Sequence, residues 1–129
     1  MTIASEPVLK DEHAQRPVAS AWRPTLREIV RALANKDYSL ARSSIAGVER
    51  IPPEKAKRIE AYIAGYGETV VELPDDAWKS SASQWMGTHW DILVDLYTAE
   101  GSPSDLALSV RVFEDAGGYR YEVDSVHVP

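Results

Sequence analysis

The chain has 129 residues, enough for one domain of ordinary size, and its 44% apolar and 26% charged residues exclude a wholly disordered polymer. Twenty Asp and Glu against 14 Lys and Arg leave a formal charge of -6, the wrong sign for a general phosphate-backbone binder. The absence of cysteine excludes disulfides, thiolate zinc sites and a cysteine nucleophile.

No apolar run exceeds a few residues, so no bilayer span is expected. The opening "MTIASEPVLKDEHAQRP" has no basic start leading into an apolar block, so no secretory signal is expected either. These features point to a soluble, cytoplasmic protein with no membrane and no nucleic acid among its partners.

Residues 1–19 carry Pro7, Pro17 and scattered charges without periodicity, and read as a flexible N-terminal arm ahead of a single domain over 20–129. If the arm orders on a partner, Val8 and Leu9 are its apolar anchors. From Trp22 the period becomes helical. Trp22, Leu26, Ile29, Val30 and Leu33 fall at offsets 0, 4, 7, 8 and 11 and form one apolar stripe. Ser20 is the expected N-cap, Pro24 fits the first turn, and Arg27 and Arg31 face water.

The stretch 38–53 is broken by Gly47 and the Pro52-Pro53 pair, with Tyr38, Leu40, Ile45, Val48 and Ile51 available to pin it to a core. A second helix is expected from about Pro53 to Ala64, with Ala56, Ile59 and Ile63 on one face, Tyr62 and Tyr66 beside it, and Gly65 or Gly67 as its stop. "TVVEL" (69–73) reads as a short strand ended by Pro74. "DDAWK" opens with acids suited to a first helical turn, and the serine-rich stretch after it reads as loop.

The last 45 or so residues alternate strictly. Trp90, Ile92, Val94 and Leu96, then Leu106, Leu108, Val110 and Val112, then Tyr121 and Val123 share one face of a three-stranded antiparallel meander. A one-residue slip would turn every one of these side chains to water, so the register follows from matching apolar faces. Leu96 faces Leu106, Val94 faces Leu108, Ile92 faces Val110, and Trp90 faces Val112. Val112 and Val110 then face Tyr121 and Val123. The same register sets Arg111 between Asp91 and Glu122 on the reverse face, where opposite charges meet. Near Asp124 the alternation shifts, so either a bulge re-aims Val126 and Val128 or one end of that face is covered. The expected fold is α+β: two N-terminal helices packed on one face of an antiparallel β-meander of three to four strands, "TVVEL" being the fourth.

Candidate binding residues follow from the faces left over. Trp78 and Trp85 flank the serine-rich loop, where no periodicity claims them, and suit either a lid on the core or a partner hot spot. The reverse sheet face carries His89, Asp91, Asp95, Tyr97 and Arg111. His89 as a general base oriented by Asp91 is geometrically permissible at this i, i+2 spacing, but charged side chains are ordinary on a solvated sheet face. No metal site is expected, because His89 with Asp91 and His127 with Asp124 supply only two ligands each. No phosphate loop, nucleophile elbow or cofactor motif is present.

Trp90, Asp95, Leu96, Glu100, Gly101, Ser104, Asp105, Leu106, His127 and Val128 together form a pattern that resembles a family of small bacterial proteins known as a domain of unknown function, over roughly residues 22–129. The resemblance implies a bacterial source and carries no activity. Helices followed by a curved meander are also similar in layout to cone-shaped ligand-binding folds and to several toxin-immunity proteins, and fold does not fix function. The favoured expectation is a non-enzymatic protein-binding or regulatory module, immunity-like in kind. Its partner is another protein or a second copy, met through Leu93, Tyr97, Phe113, Val126 and Val128. The alternative is a small-molecule pocket inside the cone, with or without hydrolase or isomerase chemistry, lined by Trp78, Trp85, Tyr121 and a carboxylate. Arg16, Arg23, Arg27 and Arg31 form the one basic strip.

Overall fold

A computed structural model describes residues 5–100 and 103–129. Residues 1–4 of the arm, and Gly101 and Ser102 of the first hairpin loop, lie outside the described residues. A tight helical turn, Ser20–Trp22, runs into helix α1, Arg23–Ala34, and helix α2 spans Pro53–Tyr66. After a second tight turn, Asp75–Lys79, come strands β1, Ala82–Trp85; β2, Trp90–Asp95; β3, Ala107–Asp115; and β4, Gly118–His127. The strands form one antiparallel sheet in the order β1-β2-β3-β4. The fold is α+β, and the helices lie mid-chain rather than at the N-terminus.

The apolar stripe of α1 is the reason it is a helix: Leu26, Ile29, Val30 and Leu33 are all at most 2% exposed. Ser20 does not cap it. The Ser20 hydroxyl accepts the Glu6 N–H at 2.8 Å and the Ser20 N–H donates to the Glu6 carbonyl at 2.9 Å, which clasps the arm instead. The helix ends in a Schellman turn, with Lys36 N–H on Leu33 O and Asp37 N–H on Ala32 O. That turn holds Lys36 at φ 63°. Lys36 is exposed, so Lys36→Gly removes strain without removing packing and should raise stability by about 0.5–1 kcal/mol in a urea titration. A lowered midpoint would mean that the lysine stem contributes packing its exposure does not reveal.

Helix α2 buries Ala56, Ile59 and Ile63 and stops at Gly67, in the left-handed region at φ 86°. The irregular stretch between the helices buries Leu40 and Ile51, with Tyr38, Ile45 and Val48 packed partly against the core. It also reaches the outer edge of β4. Glu49 N–H donates to Tyr121 O, and Tyr121 N–H donates to Gly47 O at 2.8 Å. Gly47 is required here, because a Cβ would lie 2.9 Å from the Tyr119 carbonyl.

The strand expected at "TVVEL" reduces to one bridge, Val70 with Thr98. The fourth strand is β1 instead, from the serine-rich stretch expected to be loop. Its alternation is hidden because the first inward position is Ser83, preceded by the buried Ser81 just outside the strand. Ser81 Oγ donates to Ala77 O at 2.7 Å and accepts the Asp95 N–H at 3.2 Å, while Ser83 is 5% exposed and pairs its backbone with Arg16.

Strands β2 to β4 take the expected register, from Trp90 opposite Val112 to Val110 opposite Val123. Leu96 N–H meets Leu106 O just beyond the strand ends. Val110 faces Val123 while Ser109 faces Ser125, so Asp124 is the extra residue of a bulge. The bulge turns Val126 to the core, at 4% exposed, and leaves Val128 outside at 43%. Core residues of α1, α2 and the sheet belong to one cluster, in which Trp22 lies 5.0 Å from Trp90 and 5.7 Å from Tyr119, ring to ring.

Candidate functional site: the polar face of the sheet

The face opposite the core carries Gln84, Asp91, Arg111 and Glu122 in one cross-strand row, and Ala82, Leu93, Ser109 and Ser125 in the next. His89 leads into β2, its Nε2 3.0 Å from Asp91 Oδ1 and its Nδ1 2.9 Å from Thr88 Oγ1. The imidazole lies 5.1 Å from the Phe113 ring, and Arg120 covers that ring at 4.2 Å. Arg120 also bonds Glu122 and Glu49, at 3.0 and 3.2 Å. Arg111 pairs with Asp124 at 3.0 Å and reaches Glu122 at 3.9 Å. So Arg111 stands in the register between Asp91 and Glu122, but its ion pairs go to the β4 acids while Asp91 is taken up by His89.

The sequence Asp91–His89–Thr88 has the connectivity of an acid, a base and a hydroxyl. Thr88 is exposed in the turn between β1 and β2, a setting in which water competes for every proton and screens every developing charge. The two bonds fix the imidazole on the polar face of the sheet.

Of the candidates, Trp78, Tyr97 and Trp85 are placed off this face. Trp78 is 7% exposed and belongs to the core, with Arg23 and Arg27 over its ring at 5.4 and 5.5 Å. Tyr97, at 9%, and Val126 are core residues too, which dissolves the expected apolar group on the reverse face. Trp85 is half-buried, 4.6 Å from the Trp90 ring, with Lys10 over it at 5.1 Å. Asp95 stands half-buried at the end of β2.

The basic strip is used within the molecule. Arg16 pairs with Asp11, Arg23 donates to Val18 O, Arg27 to Leu73 O and Asp75, and Arg31 to Glu72. Arg16 and the His13 N–H hold the Asp11 carboxyl below its ordinary range, the backbone bond being the larger cause. Burial pushes the Tyr121 phenol up, and burial with Glu60 nearby does the same to Tyr38.

Beside the Gln84–Asp91 row lies a concavity of about 310 Å³, lined among others by Gln15, Gln84, Met86, Asp91, Leu93 and His127. Met86, 51% exposed, is a large apolar side chain standing in water at its rim. Gln15 and His127 come to it from the two ends of the chain, so no local pattern marks them. Trp78, Trp85 and Tyr121 line none of five concavities on the surface, the largest of which, about 410 Å³, lies between the C-terminal ends of α1 and α2.

Among the described residues no group of three or more His, Asp or Glu is placed to hold a metal ion, and no helix is long and apolar enough to cross a membrane. A family model described as "Domain of unknown function (DUF7668)" matches residues 30–129. No curated protein and no solved structure matches the chain.

Proposed function

We propose that this chain, which belongs to the DUF7668 family, is a non-enzymatic binding or regulatory module of the bacterial cytoplasm that meets another protein through the polar face of its sheet. In this reading the helices back the apolar face and leave the polar face free. The observation that carries it is the concavity of about 310 Å³ beside Asp91, rimmed by the exposed Met86 and by Leu93, His127 and Gln84. A mixed apolar and acidic hollow on rigid strands suits a protruding side chain of a partner, and Arg111 and Arg120 are already neutralised within the sheet.

A photo-crosslinking residue placed at Met86 should capture one protein in the source cell that the same residue at Lys57, exposed on α2, does not. Leu93→Lys should cut that capture at least about tenfold, since a buried charge at an interface core is costly. Equal capture at both positions, or capture indifferent to Leu93→Lys, would reject the reading.

A further inference from the structure

Both edges of the sheet are closed, but by unlike means. The β4 edge is held by Gly47 and Glu49, and Lys55 donates to Val123 O at 3.1 Å. Among the described residues, the β1 edge is held by the arm alone. Arg16 and Ser83 exchange two backbone hydrogen bonds, at 2.9 and 2.8 Å, and Gln84 Nε2 donates to the carbonyls of Asp11 and Glu12. Further along, Val8 packs partly against the core, the Trp90 indole N–H donates to Leu9 O at 2.9 Å, and Lys10 lies over Trp85 while pairing with Glu114 at 2.7 Å. Residues 12–17 are exposed throughout. A segment held by the Glu6–Ser20 clasp, a few further hydrogen bonds, the exposed Lys10 contacts and one apolar anchor opens far more readily than the sheet beneath it.

We propose that the outer edge of β1, with Trp85 and Trp90 at its end, is a docking site for a segment of another protein that carries one apolar anchor and one cation, occupied by this chain's own residues 8–16, which turn at residues 12–14, until that segment displaces them. The sequence of contacts defines what fits. An apolar side chain must take the place of Val8, and the next carbonyl must receive the Trp90 indole. The residue after that must bear a cation for the Trp85 face and Glu114, as Lys10 does, and a backbone pair must replace Arg16 on Ser83. At Ser83 this is a single main-chain pair of the kind used in strand addition, and specificity comes from the side chains met at Trp85, Trp90 and Glu114. The site is the edge of the sheet, so the proposal goes beyond the sheet-face reading and does not rest on it.

Hydrogen exchange of the unaltered chain tests the first half. The Ser83 amide and the Trp90 indole N–H should exchange at least about a hundredfold faster than the Val110 amide, with little dependence on denaturant. Exchange at the Val110 rate with the same dependence would mean that the arm leaves only when the whole molecule unfolds, and would overturn the proposal.

A synthetic peptide of residues 5–19 tests the second half. Arg16→Pro removes the N–H that bonds Ser83 O, and the peptide should bind this variant saturably, with the Trp90 indole resonance returning to its original position. Arg16→Ala, which keeps that N–H, should behave as the unaltered chain. There the tethered arm competes and binding should be at least about tenfold weaker. Carrying Lys10→Glu, the peptide should lose about tenfold in affinity. Failure to bind an Arg16→Pro chain whose Val110 amide is still protected, or indifference to Lys10→Glu, sinks the proposal. Should Arg16→Pro not fold, the exchange rates of the unaltered chain decide.

Discussion

Replacing Trp22 with alanine is expected to lower stability by about 3–5 kcal/mol, the range for deleting a buried large aromatic side chain. That is a large part of the roughly 5–15 kcal/mol a domain possesses. The ring is 1% exposed and stands between Trp90 and Tyr119, so its removal opens a cavity where helix and sheet meet. Phenylalanine should cost much less than alanine. The Trp22 indole N–H is buried with no hydrogen-bond partner among the described residues, a defect worth about 1–3 kcal/mol that the benzene ring does not have. Urea unfolding followed by far-ultraviolet circular dichroism separates the two. A loss below about 1 kcal/mol in Trp22→Ala would show that the site collapses onto itself and that the ring is not a keystone.

The same packing bears on where the folding unit begins. The family match starts at residue 30, but Val18, Ala19, Trp22, Leu26 and Ile29 are each at most 1% exposed. A chain started at residue 30 should therefore remain unfolded. It lacks Val18, Trp22, Leu26 and Ile29 from the core and leaves the β1 edge without Arg16.

The meander was legible because a period of two is unforgiving. Each of Ile92, Val94, Leu108, Val110 and Val112 is at most 1% exposed, and no other register hides them all. β1 was not legible, for the converse reason. A serine that faces inward and finds a carbonyl is as well placed as a valine, and nothing in "KSSASQW" tells Ser81 bonded to Ala77 from a serine in water. The contacts of the arm are of the same kind. Its carbonyls at Leu9, Asp11 and Glu12 receive bonds from Trp90 and Gln84, and a backbone carbonyl carries no sequence signal. Val18 and Ala19, fully buried, are two short side chains with no period around them.

Of the candidate site, the charged rows followed from register, whereas the fate of the aromatic residues did not. Tyr97 lies one residue beyond Leu96, past the end of β2, where alternation no longer binds it to the polar face. Trp78 sits on a tight turn whose three-residue period aims it inward beside Ala77, and two arginines close over it. Cations stacked on a ring look, in a sequence, like any solvated helix face.

The bulge at Asp124 yields the second large effect, as a contrast between two single-residue deletions. Between the core pair Val110–Val123 and the core pair Leu108–Val126, β3 has one residue, Ser109, and β4 has two, Asp124 and Ser125. Removing Asp124 should be nearly silent. Ser125 then follows Val123, Val126 keeps its place opposite Leu108, and only the Arg111–Asp124 pair is lost, an exposed ion pair worth about 0–1 kcal/mol. Removing Ser109 should prevent folding. Leu108, 0% exposed, would rotate to the half-exposed place of Ser109, Leu106 would be forced into the filled, fully buried place of the small Ala107, and Asp105 would rotate into the core. The displaced Leu108 forfeits about 1.5–3 kcal/mol, before the costs of overpacking at Ala107 and of burying a carboxylate. Thermal melts of the two deletion variants decide the matter. If they melt together, the extra residue of β4 is not what returns Val126 to the core. If only the Ser109 deletion unfolds, the alternation of β3 sets the register and β4 adapts to it.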